Sequence, residues 1–279
     1  MPARAGLVML SAPLLVEAAH CAERAIDNDD PELIHRFRVS LRQLRCLLWA
    51  YDPLLPAGTA SFWRTRLGEL ADISGSAREW AVMSTELAPA MLPEDPAWAQ
   101  PVLDALARQT RQATDACRRT LLEARPATVL SSLHAAIAQW NGTQSPSPEL
   151  GAFANRRLRD AYRILRRRAG DPEPTTRALH RTRIAVKRVH YLTTLFAPVL
   201  ASSAVLRLKS LKRLQLHLGR ANDTAAAIAA LRRMTPPLRG RHLQRMIHAR
   251  LVLLDVRYQA QARRTLTRMR KRLKPSAKP

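Results

Sequence analysis

The sequence predicts an all-α protein made of two related antiparallel helical bundles, and three observations carry that expectation. Apolar residues make up 47% of the 279-residue chain but aromatics only 5%, with Ala and Leu dominant. This mixture favours helices over strands, which draw on β-branched and aromatic residues. Apolar positions recur at helical spacing along the chain, and no strand-like alternation stands out. Residues 34–55, IHRFRVSLRQLRCLLWAYDPLL, also return 145 positions later as 179–200, LHRTRIAVKRVHYLTTLFAPVL.

Taken in order, helices are expected at about 12–28, 32–51, 60–73, 77–91, 98–124 and 127–140. The first follows the apolar stretch Leu7–Val16, where Pro13 and Glu17 argue against a secretory signal. No run approaches the ~18 apolar residues of a membrane span, so none is expected. The second starts at Asp30-Pro31, a capping residue followed by proline at the first helical position. The linker from Asn141 to Pro148, rich in Gly, Ser and Pro, divides the chain into halves 1–145 and 146–279. Beyond it come helices at about 150–169, 175–197, 203–218, 221–233 and 239–273. Pro53 and Pro198 stop the repeated helix at the same point. Gly75–Glu79 answers Gly219–Asp223 after a one-residue change of offset, so each half should hold four or five antiparallel helices.

The net charge of +24 lies entirely in the second half. Residues 1–145 carry 14 basic and 16 acidic side chains, whereas 146–279 carry 32 and 6. Such asymmetry points to a large anionic partner: nucleic acid, an acidic membrane surface or polyphosphate. Few aromatics are available for the base stacking that single-stranded nucleic acid prefers. Only Lys187, Lys209, Lys212, Lys271, Lys274 and Lys278 are lysine. Arginine's planar fork suits phosphate, although a GC-rich coding sequence would give the same bias. Cys21, Cys46 and Cys117 show no metal spacing and cannot all pair, which fits a reduced, cytoplasmic compartment.

The repeat carries the candidate site. His35, Arg38, Arg42 and Arg45 lie at i, i+3, i+7 and i+10, within about an 80° arc of a helix. Ile34, Phe37, Leu41, Leu44 and Leu48 occupy the adjoining stripe, so the basic row borders the core. His180, Arg183, Lys187 and His190 form the second row. Lys209, Lys212 and Arg213 on the next helix extend it, and Arg156, Arg159, Arg163 and Arg166 repeat the spacing once more. A solvated basic face is the ordinary explanation of one such row; duplication at matched positions favours a polyanion site instead.

His35 and His180 lack the neighbouring His, Cys or carboxylate a metal would need, and arginines flank them. No carboxylate lies on the stripe to orient a phospho-accepting histidine, so donation to a phosphate oxygen is the favoured role. Asp223 can cap a helix or orient a basic side chain, and both roles stay open. The basic amphipathic tail Arg263–Lys274 reads as a solvated helix end, or as an added anion or membrane-surface contact. GxxxxGK[ST], GxGxxG, HExxH, GxSxG and ExExK are all absent. The residues alone therefore point to a polyanion-binding protein without cofactor or metal, and no nucleophile, base and oxyanion hole assemble. A basic nucleic-acid-binding protein and a histidine-dependent phosphoryl-processing enzyme are the alternatives.

HxxRVxxRxxR at His35–Arg45, LHRxRIxxKRxxY at Leu179–Tyr191 and LKRLQxxLGxxND at Leu211–Asp223 together resemble the CHAD domain, the conserved histidine α-helical domain. The resemblance runs from about Leu14 to Arg272. It implies two four-helix bundles related by a pseudo-twofold axis around a basic central cleft that binds inorganic polyphosphate. It also implies a non-enzymatic module, in some cases on polyphosphate or polyester storage granules. The residues that carry over are His35, Arg38, Arg42, Arg45, His180, Arg183, Lys187, Lys212 and Asp223. His190 stands where the family usually has arginine, and Gln43 and Glu79 also depart from its pattern.

Overall fold

Local signals set the first boundaries. Helix α1 (Ala3–Asp27) begins earlier than the sequence predicts and runs through Pro13. A proline inside a helix frees the carbonyl four residues back. Here Met9 and Pro13 are both exposed, so water can satisfy it. Leu7, Leu15, Ala18, Cys21 and Ala25 on the other face are buried. By length and composition alone α1 is apolar enough to cross a membrane, a test that a buried core helix also passes. In this fold its buried side packs against other helices of the same unit, α2 (Pro31–Tyr51) and a later helix at Pro126–Asn141.

The computed structural model describes residues 1–92, 96–142, 146–171, 174–201, 208–233 and 241–273. After α2 come α3 (Thr59–Ile73) and α4 (Gly75–Val82), a π-helical turn at Met83–Leu87, α5 (Ala88–Met91), α6 (Pro96–Ala124) and α7 (Pro126–Asn141). The chain continues with α8 (Leu150–Ala169), α9 (Thr176–Leu195), α10 (Leu208–Arg233) and α11 (Arg241–Leu273). No strand occurs among the described residues, and the fold is all-α. Two boundaries differ from expectation. The helix expected at 77–91 is interrupted by the π turn; of the pair expected at 203–218 and 221–233, residues 203–207 lie outside the described residues and the rest is one continuous helix, α10. Gly219 lies between the two expected helices, but a helical glycine costs only about 1 kcal/mol against alanine. Buried Leu211, Leu214, Leu218, Ala221 and Ala227 keep one apolar stripe running past it.

The repeated segments fold alike in their own surroundings. Asp30 accepts a hydrogen bond from the Glu32 amide at 2.9 Å, and Thr175 accepts from the Ala178 amide at 3.2 Å. These caps stand at matched positions ahead of α2 and α9. Leu33, Ile34, Phe37, Ser40, Leu41, Leu44, Leu47 and Leu48 are buried on α2; their counterparts from Ala178 to Thr193 on α9 are buried too. Each helix then passes into a 3-10 turn, Asp52–Leu54 or Ala197–Val199, holding the matched proline.

Packing divides the described chain into two compact units that interleave along the sequence. The first comprises 1–81, 109–157 and 198–200; the second comprises 82–108, 158–197 and 201–279. In the first, α2 lies between α1 and α3, and α7 closes against α1 and α3. Gly6 of α1 sits where helices meet most closely: a Cβ there would lie 2.7 Å from Leu150 Cδ1 and 3.1 Å from the Tyr51 hydroxyl. In the second unit α10 packs against both α9 and α11, and α11 also meets α5.

Candidate polyanion-binding site

In the first unit the apolar stripe of α2 is buried and His35, Arg38, Arg42 and Arg45 stand half-buried along its edge. The row therefore leaves the core at the margin the apolar spacing dictates. Arg38 reaches across to the end of α3, where its Nη1 donates to the Ala71 carbonyl and, at 3.0 Å, to Ser74 Oγ. Ser74 is fully buried and its hydroxyl also donates to Ala71 O at 3.0 Å. A cation at a helix C-terminus meets carbonyls that lack intrahelical partners. Burial pushes the Arg38 pKa down, Arg42 adds like-charge repulsion, and Asp72 and Glu79 pull the other way.

Arg45 lies flat beside α3. Its guanidinium carbon is 3.4 Å from where a Cβ on Gly68 would stand, which accounts for a buried glycine within that helix. Burial again lowers the pKa, followed by repulsion from Arg64, with Asp72 opposing. Arg64 and Arg78 thus join the basic cluster, and sequence reasoning missed both. A signal existed for Arg78, which stands where the repeat has Asn222. Arg64 had none, because its proximity depends on how α3 crosses α2.

In the second unit His180 is exposed on α9, and Arg183, Lys187 and His190 are half-buried. α10 runs alongside, with Asn222 opposite His180 and Lys212 near His190. Lys212 and Arg213 are exposed between buried Leu211 and Leu214. The Lys209 side chain lies outside the described residues. His190 makes an edge-to-face contact with Tyr191 at 5.8 Å. Its Nδ1 is buried and has no hydrogen-bond partner among the described residues. Burial, and then the Lys212 charge, hold its pKa below the usual imidazole range.

Asp223 is corrected on one count and refined on the other. It lies in the middle of α10 and cannot cap that helix. Its Oδ1 accepts from Asn222 Nδ2 at 3.4 Å, and Asn222 Oδ1 stands 2.8 Å from His180 Nδ1. The carboxylate therefore reaches a histidine of the basic row through an amide. Arg159 and Arg163 project from the exposed side of α8, opposite buried Leu158, Ala161 and Leu165. Arg163 pairs with Asp160 at 3.0 Å, and Arg263, Arg264 and Arg268 are exposed on α11.

The CHAD domain family matches residues 12–232, most of the chain. This chain belongs to the CHAD domain family. The crystal structure of the CHAD domain from the plant Ricinus communis superposes with a TM-score of 0.81 at 22% identity, covering 96% of this chain and 92% of that one. PptA from Streptomyces chartreusis gives 0.66 at 16% identity, covering 96% and 99%. At these identities the likenesses establish the CHAD fold. No curated protein matches.

This CHAD domain carries in each unit a helix-edge row of guanidinium, ammonium and imidazole groups, several anchored by contacts to the neighbouring helix. Among its described residues no three His, Cys, Asp or Glu side chains gather as a metal site would require. Cys21, Cys46 and Cys117 are free and buried. Burial and the Glu17 contact push the Cys21 pKa up to about 11, away from thiolate chemistry.

Proposed function

We propose that this CHAD domain binds inorganic polyphosphate without chemically altering it, gripping the chain through the rows on α2 and α9. The observation that carries the reading is the matched register of the rows. Arg38, second in the first row, and His180, at the head of the second, are held by polar contacts to the next helix. Anchored donors lose less side-chain entropy when they meet an anion than donors on a solvated face. A phosphate chain has closely spaced anionic oxygens and no sequence to read, so a row of rigidly placed cations suffices. The cytoplasm, including polyphosphate or polyester storage granules, is the proposed location.

Binding of long-chain polyphosphate should weaken steeply with salt, since each neutralised phosphate releases condensed cations. By analogy with single-stranded nucleic acid, the log–log slope should be about −0.7 per phosphate contacted. Competition against duplex DNA at matched charge separates the nucleic-acid reading: polyphosphate should displace DNA. Phosphate release during incubation with polyphosphate would support the enzymatic alternative instead. Affinity that does not change between low and moderate salt would overturn the proposal.

A further inference from the structure

We propose that Asn222 fixes the tautomer of His180, so that this histidine donates to a bound phosphate only when it is protonated. Capture of polyphosphate at the second row is then coupled to uptake of a proton. The coupling rests on the polyphosphate reading above, whereas the tautomer stands on geometry alone.

A side-chain amide has one acceptor atom and one NH2 group. The Asn222 NH2 faces the Asp223 carboxylate at 3.4 Å, which leaves Oδ1 facing His180 Nδ1 at 2.8 Å. Turning the amide over would set its oxygen against the carboxylate and lose that bond. An oxygen at 2.8 Å needs a donor, so Nδ1 carries the hydrogen. In the neutral ring Nε2 then holds only a lone pair. Phosphate oxygens are acceptors, and a lone pair cannot bond to them. Protonation puts a hydrogen on Nε2 while the Asn222 bond is kept, and only that state grips the anion.

The charged surroundings are mixed. α9 itself contributes Arg177, Arg181 and Arg183. α10 contributes Asp223 and Arg220, the latter lying over the Tyr258 ring of α11 at 5.7 Å. From α11, Gln259 meets Thr176 one turn before His180 and bonds both Asp255 and Arg263. The end of α8 contributes the Arg168 carbonyl, which accepts from Thr182. Polyphosphate adds negative charge to this set and so favours the imidazolium. In the first copy Arg78, a residue with donors only, stands where the second has Asn222. An amide at that position is therefore a feature of the second row.

Nitrogen-15 spectra of the full chain, with His180→Gln to assign the signal, read the tautomer without ligand. Wild type at pH 8 should show hydrogen on Nδ1, and Asn222→Leu should move it to Nε2. Polyphosphate affinity should then rise less steeply from pH 8 to 6 in Asn222→Leu. One coupled proton contributes at most about tenfold per pH unit. Asn222→Asp retains an acceptor and should keep hydrogen on Nδ1, which controls for damage to the fold; its carboxylate also favours the imidazolium, so this variant is read for the tautomer and not for the pH slope. Hydrogen on Nε2 in the wild type, or a pH slope for Asn222→Leu equal to that of the wild type, would overturn the inference. If the tautomer is as stated but His180→Gln leaves affinity unchanged at pH 6, the polyphosphate reading fails at this row and the coupling fails with it.

Discussion

Arg38→Ala should cost both stability and affinity. The Arg38 guanidinium ties α2 to the α3–α4 junction through Ala71 O and Ser74 Oγ. A hydrogen bond to a charged group contributes roughly 1.5–3 kcal/mol, and a cation at a helix C-terminus about 0.3–1. Two offsets keep the loss from reaching the sum of these. Ala71 O keeps the Ser74 hydroxyl as a donor, so truncation does not orphan it. Removing a half-buried cation also relieves its desolvation and its repulsion with Arg42 and Arg78. The expected net cost is about 2–3 kcal/mol. At ~2–4 °C per kcal/mol for a domain of roughly this size, melting should fall by about 4–12 °C. Arg38→Lys keeps the charge without the fork and should lose about half as much. Thermal unfolding followed by circular dichroism gives the stabilities, and polyphosphate titration below the melting range gives the affinities. An Arg38→Ala melting temperature equal to that of the wild type would refute the tie between α2 and the α3–α4 junction.

Three further outcomes are expected. Arg183→Ala with Lys187→Ala should weaken polyphosphate binding far more than Arg264→Ala with Arg268→Ala, a pair of equal charge loss on exposed α11; equal weakening in a titration would mean nonspecific attraction. His190 should add to tighter binding as pH falls from 8 towards 6. Burial and Lys212 hold it neutral in the free protein, so its contribution to stability is present above the ordinary imidazole value and lost as pH falls through the lowered one. A bound polyanion favours the charged ring, so His190→Arg should flatten part of the pH profile and strengthen binding at pH 8; an overlaid profile would show that His190 does not touch the ligand. Gly6→Ala should destabilise by about 1–3 kcal/mol, because its Cβ would lie 2.7 Å from Leu150 Cδ1, and an unchanged melting curve would contradict that packing.

The helical class, most helix bounds and the two basic rows were legible in the chain alone, because each depends on interactions within a few residues. Asp30 and Thr175 cap their helices, matched prolines end them, and the apolar stripe fixes which edge the cations take. The continuity of α10 was not legible. Gly219 looks like a break locally, and only burial of the same stripe before and after it decides otherwise. Nor did sequence reveal that Arg38 is spent partly on a helix end, that Arg64 lies near Arg45, or that Asn222 faces His180. Position along a helix fixes the direction in which a side chain leaves, but not what it meets. Partners on adjacent helices follow from how those helices pack, and that packing is set by the whole core at once.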